Sequence, residues 1–238
     1  MKRRYVLILL AALLATDTAH AQEQRQGDAP VPFFTWGARI GFAATGTYLS
    51  KPNIDGHILP EYTQDTQVGN FGAILLRINS RRLLLQSGIG LSHNKSSFYM
   101  NANSWDPQAT EERKVSCSYS MLSFTIPVQV GYHIINRPPY CMSVFTGPRL
   151  RITPDKYYSV KFMGLDPYKY TEDPSELIMG WTAGMSVQIG RTFFDFEYEA
   201  SINKISDKMY DTTGTSPFPD NCLNRRVGII SFSYGVMF

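Results

Sequence analysis

The sequence predicts an all-β fold: an eight-stranded antiparallel up-and-down transmembrane β-barrel, with short turns at one end and long loops at the other. Three observations predict it. Apolar residues alternate with small or polar ones over eight segments, the period of a strand and not of a helix. Most of those segments reach the ~9–11 residues that a tilted spanning strand needs, where soluble strands run ~5–6. Their connections alternate in length, short at 79–82, 134–139 and 190–192, long at 47–67, 96–117, 154–177 and 203–223. Long loops on one side and tight turns on the other are what a membrane barrel shows.

In chain order, residues 1–21 read as a secretory signal peptide. Lys2, Arg3 and Arg4 precede an apolar run from Val6 to Ala15, and Ala19-His20-Ala21 supplies a small-residue cleavage site. No cysteine stands directly after that site, where Gln22 follows Ala21, so a lipid anchor is not expected. Most of the formal charge of +3 resides in this leader, where three bases face only Asp17. The mature chain is near neutral and gives no electrostatic reason to bind nucleic acid. No apolar stretch of ~18 residues follows, so no transmembrane helix is expected. Residues 22–32 form a short periplasmic lead-in, and 33–238 form the barrel domain.

The first strand, 34–44, sets Phe34, Trp36, Ala38, Ile40 and Phe42 against Thr35, Gly37, Arg39 and Gly41. In 71–78, Ile74, Leu76 and Ile78 oppose Arg77, with Ala73 and Leu75 blurring the pattern. In 83–92, Leu83, Leu85, Ile89 and Leu91 oppose Gln86, Gly88, Gly90 and Ser92, and in 120–133 Phe124, Val128, Val130 and Tyr132 oppose Ser123, Gln129, Gly131 and His133. Pro127 interrupts that segment. A strand-interior proline removes a ladder hydrogen bond, so a bulge is expected there. Residues 140–152 set Val144, Leu150 and Ile152 against Gly147, Arg149 and Arg151, and 178–190 set Trp181, Met185 and Ile189 against Thr182, Gly184 and Gln188. Residues 193–202 oppose Phe194, Phe196 and Tyr198 to Asp195, Glu197 and Glu199, and 226–238 oppose Phe232, Tyr234 and Phe238 to Ser231, Ser233 and Gly235.

Alternation alone does not say which face meets lipid, since a soluble barrel has the same period with its apolar side inward. The polar face is rich in glycine, which weakens a solvated strand but makes room inside a small barrel. It also carries Arg39, Arg77, Arg149 and Arg151 with Asp195, Glu197 and Glu199, a set able to pair as a lumen charge network. Phe34, Trp36, Tyr132, Trp181, Phe232 and Phe238 are expected near strand ends, as an interfacial aromatic girdle. The apolar face is therefore assigned to lipid.

Sites of chemistry are sparse. Of the mature histidines His57, His93 and His133, none has metal-ligand spacing, and no cofactor is expected. His93 beside Ser92, Ser96 and Ser97 is the only Ser/His grouping, with no acid to complete it, and reads as a hydrated residue where a strand meets its loop. Cys117, Cys141 and Cys222 enter an oxidising compartment, and Cys117–Cys222 is a candidate disulfide that would leave Cys141 free. Loop 154–177 mixes Tyr157, Tyr158, Phe162, Tyr168 and Tyr170 with Lys156, Lys161 and Lys169, a composition common at recognition surfaces.

Four stretches carry a resemblance: GARIGF at 37–42, LSFTIPVQVGY at 122–132, PYCMSVFTGP at 139–148 and ISFSYGVMF at 230–238. On these the chain resembles the PorT-like outer-membrane β-barrel family of Gram-negative bacteria. That resemblance implies residence in the cell outer membrane, contact with its lipid, and a C-terminal signal at Phe232, Tyr234 and Phe238 like the one read by the barrel-assembly machinery. One member type is associated with protein secretion, so a surface or secretion-system protein is an implied partner. The expected role is non-enzymatic, structural or interaction-based, around a filled lumen. A narrow pore for small solutes or ions, and a lipid-modifying enzyme, are the alternatives.

Overall fold

The computed structural model describes residues 32–50, 53–54, 57–58, 62–101, 114–137, 139–164, 169–212, 214 and 223–238. The expected signal peptide, and all but the last residue of the lead-in, lie outside them. Eight long strands form the barrel: β1 (Phe34–Leu49), β2 (Gln67–Ser80), β3 (Leu83–Asn101), β4 (Lys114–Arg137), β5 (Tyr140–Ile152), β6 (Leu177–Ile189), β7 (Thr192–Ser201) and β8 (Arg225–Met237). Each pairs antiparallel with the next in sequence, and β8 returns to β1 from Gly37↔Met237 to Leu49↔Arg225. Every barrel strand thus has a neighbour on both sides, so the ring leaves no open edge in the membrane.

The alternation read from the sequence is the alternation of the two faces. Ile40, Phe42, Val68, Ile74 and Ile89 stand on the outside, each at least 60% exposed, while Arg39, Arg77, Gln86, Gln129 and Ser143 face inward and are buried. In water such a surface would be unfavourable; in hydrocarbon it is the solvent-matched one. The blurred segment in β2 has a simple origin, because Leu75 faces the lumen and packs with Phe193 and Met237. Glycine supplies the room for large inward neighbours. A Cβ at Gly41 would lie 2.8 Å from the Phe71 ring, and one at Gly184 2.8 Å from the Phe145 ring. Gly190 opens the two-residue turn between β6 and β7 at φ 62°, the left-handed geometry such turns need.

Three expectations are corrected. No bulge occurs at Pro127: the β3–β4 and β4–β5 registers stay in step across it, and the register shift lies instead at His133/Ile135 near the periplasmic turn. The carbonyl of Pro127 accepts a 2.9 Å bond from the Ser87 hydroxyl, so its oxygen stays satisfied. Phe232 is not a rim residue; it sits mid-strand opposite Phe42 and Phe196 in the lipid-facing band. The segment 96–117 is no simple loop either, since β3 continues to Asn101 and β4 starts at Lys114. His93 therefore lies within a strand and not where a strand meets a loop.

Above the membrane the sheet continues. Short strands Thr63–Asp65 and Tyr158–Met163 add to the tops of β3 and β4, and Tyr170–Pro174 pairs with Ser206–Asp211, which touches β8 through Ser206↔Arg225. This extension encloses its own apolar cluster of Phe98, Val115, Cys117, Tyr170, Met209 and Leu223. Just below it, Tyr119, Met121, Ile178, Ile205, Val227 and Ile229 form a second layer. Apolar layers thus lie above the charge-bearing middle and, at Leu75, Phe193 and Met237, below it, with further buried polar groups such as Arg77, Asn79 and His133 toward the short turns and Arg225 and Glu172 toward the top.

Candidate functional site

The middle of the lumen holds the charges. Asp195, Glu197 and Glu199 occupy successive inward positions of β7, so period two stacks them in one row. Arg39 reaches them from β1 across β8, where the intervening inward residues Ser231 and Ser233 are short. Arg149 and Arg151 reach them from β5 across β6, where Gly180 and Thr182 leave the way open. A Cβ at Gly180 would lie 2.9 Å from Glu199 Oε1, so the small residue is what admits the carboxylate.

Every carboxylate of the row is engaged. Arg39 Nη1 donates to Asp195 Oδ2 at 2.9 Å and also to Glu197. Arg149 donates to Glu197 with one nitrogen and to Glu199 Oε2, at 3.0 Å, with the other. Arg151 Nη2 donates to both oxygens of Glu199 at 2.9 and 3.0 Å, while its Nη1 reaches Ser92 Oγ at 2.8 Å. The arrangement is a ladder of bridging arginines, the pairing that buried charge requires. Of the sequence-predicted set, Arg77 stands apart: its hydrogen-bond partners among the described residues are amides, Gln86 Oε1 at 2.6 and 3.0 Å and Gln188 Oε1 at 3.5 Å. From Gln86 a chain of bonds runs through Gln129 to Thr182 and the Gly147 carbonyl.

A second buried ion pair escapes sequence reading. Arg225 at the start of β8 donates to Glu172 Oε2 at 2.7 Å and to Tyr158, and its guanidinium lies 4.2 Å from the centre of the Tyr119 ring. Burial raises the Tyr158 hydroxyl well above its ordinary pKa, so it stays protonated and donates to Glu172 at 2.6 Å. Glu172 and Tyr158 lie in a segment read as loop, where no periodicity marks an inward position.

The remaining candidates are placed as follows. His93 Nε2 meets Ser120 Oγ at 2.9 Å; its expected neighbours are engaged elsewhere, Ser92 with Arg151, Ser96 with Thr47 and Ser97 with Asp65 and Gln67. Cys117 and Cys141 are buried free thiols, and Cys222, the partner expected for Cys117, lies outside the described residues. Cys141 Sγ lies 3.2 Å from His133 Nδ1. Phe232, Tyr234 and Phe238 all face outward, and the Phe238 ring stacks on Trp36 at 4.8 Å. Among the described residues no group of three His, Cys, Asp or Glu could hold a metal ion.

Comparison with known proteins agrees with this architecture. Of solved structures, OprG from Pseudomonas aeruginosa is similar at 11% identity and a TM-score of 0.51, covering 90% of this chain and 99% of its own. Neisserial surface protein A is similar at 14% identity, TM-score 0.43, over 85% and 97%. Ail, the attachment invasion locus protein of Yersinia pestis, is similar at 10% identity, TM-score 0.40, over 86% and 98%. At such identities the OprG likeness speaks to the fold alone. No curated protein matches the sequence. The family described as outer membrane protein beta-barrel domain matches residues 20–207. With that match over most of its length, the chain belongs to the outer membrane protein beta-barrel domain family, whose place is the cell outer membrane.

Proposed function

We propose that this chain is a non-enzymatic barrel with a filled lumen, which uses its extracellular extension to engage a protein partner at the cell surface or in an export system. The observation that carries the reading is the packing of the lumen by apolar clusters and the charge ladder among the described residues, which speaks against a wide aqueous path. The Arg225–Glu172 pair holds strand Tyr170–Pro174 to the barrel top, which gives a binding surface a fixed shape. The finer resemblance to PorT-like proteins, cleavage after Ala21 and assembly through Phe232, Tyr234 and Phe238 belong to the same proposal. Purified protein in planar bilayers is expected to give no discrete channel events; sizeable events would replace this reading with the narrow pore. A cross-linked pull-down from outer membrane is expected to retain a stable protein neighbour.

A second reading rests on the His93–Ser120 contact, a hydroxyl within reach of a base on the outward face. It corresponds to hydrolysis of a lipid acyl ester, with Ser120 as nucleophile and His93 as base. Lipid acyl release by the purified barrel, abolished in His93→Ala, would establish it. Equal and negligible release by both proteins returns the choice to the non-enzymatic role.

A further inference from the structure

The outward face of the barrel changes character along β3, β4 and the short strand Tyr158–Met163. Leu91, Phe124 and Ile152 stand side by side on one rung, each at least 40% exposed, as the lipid-facing band requires. From Leu83 at the short turn to Leu91 is about nine residues, the length of a membrane-spanning strand, so this rung lies near the outer end of the hydrocarbon. Further up, Lys95, Ser120 and Ser159 share a rung on the same face, and the next outward rung pairs Ser118 with Lys161. Apolar side chains thus give way to ammonium and hydroxyl groups where the strands leave the hydrocarbon.

Both lysines are exposed, and neither has a hydrogen-bond or ion-pair partner among the described residues. Asp65, on the side of β3 away from Lys161, accepts from Ser97 Oγ at 3.1 Å. Sheet spacing sets the two lysine backbones about 10 Å apart across the strands and about 7 Å apart along them, so their long side chains can converge over the serines between. Two cations beside hydroxyl groups, directly above an apolar rung, complement a phosphate carried by a lipid. A phosphate monoester fits best, because it brings about −1.5 to −2 charge and three acceptor oxygens, where a diester would leave one lysine without a counter-charge.

We propose that Lys95 and Lys161, with the Ser159 hydroxyl, bind the phosphate monoester of an outer-leaflet glycolipid whose acyl chains lie on Leu91, Phe124 and Ile152. The site is on the outward face and is independent of the filled lumen and of any protein partner. The test uses the folded barrel in a neutral detergent and native mass spectrometry, with lipid A as the probe in its phosphorylated and its dephosphorylated forms. One phosphorylated lipid per barrel is expected to be retained, less so as salt rises. The double variant Lys95→Gln/Lys161→Gln is expected to bind it about tenfold more weakly or worse, and to keep its heat-induced gel shift because both positions are exposed. Arg191→Gln, which removes a charge at the short-turn end, is expected to bind like the unmodified barrel. Inorganic phosphate in excess is expected to leave the lipid bound, since it brings no acyl contact. Displacement by inorganic phosphate, equal retention of the dephosphorylated probe, or unchanged retention in the double variant would each overturn the proposal. If the double variant does not fold, the comparison of the two probes on the unmodified barrel decides.

Discussion

Glu197 is the side chain on which the lumen turns, because it bridges Arg39 and Arg149 while both guanidiniums are buried. Glu197→Ala leaves two buried cations short of a partner, and a loss of about 3–5 kcal/mol is expected. The heat-induced gel-shift midpoint, or urea unfolding in micelles, measures it; a loss below ~1 kcal/mol would mean that the neighbouring acids take over the pairing. The small residues beside the ladder are as specific as the charges. Gly184→Val places a branched side chain against the Phe145 ring, and the overpacking is expected to cost about 1–3 kcal/mol in the same assay. Replacing Gly190, where nothing lies within reach of a new Cβ, acts only through its turn geometry.

Each strand carries two independent messages, one for lipid and one for the lumen. In β7 they are cleanly separated, with Phe194, Phe196 and Tyr198 outside and Asp195, Glu197 and Glu199 inside. In β2 they are mixed, because Leu75 points into an apolar layer and so reads as if it faced lipid. The extracellular strands depend on tertiary contacts to a greater degree. Tyr170–Pro174 has five residues and is held by its pairing with Ser206–Asp211 and by the Glu172–Arg225 ion pair. Glu172→Ala removes the acceptor of a fully buried guanidinium. We expect the extension to loosen, with faster protease cleavage in 154–177 and 203–223, while the membrane-level barrel keeps its gel shift. A gel shift lost together with the extension would show that the two fold as one unit.

At the scale of the whole molecule, a closed ring leaves no unpaired edge in hydrocarbon, and an unheated sample is expected to migrate differently from a boiled one in detergent gels. Identical migration would contradict a closed barrel. The apolar layers above the ladder extend into the extracellular strands.

By itself the sequence determined the strand count, the lipid-facing side and which residues of the acidic row share one face, because all three follow from a period of two along continuous strands. The row Asp195, Glu197, Glu199 is legible for that reason alone. Which arginine meets which acid was decided only by the tertiary structure, since it depends on the short residues of β6 and β8 that lie between the partners. The same holds for Arg77, which is turned toward Gln86, and for Ser120, which is brought to His93 from the neighbouring strand. The Arg225–Glu172 pair and the strands above the membrane left no periodic trace, because short strands in long connections take their register from neighbours and not from their own residues.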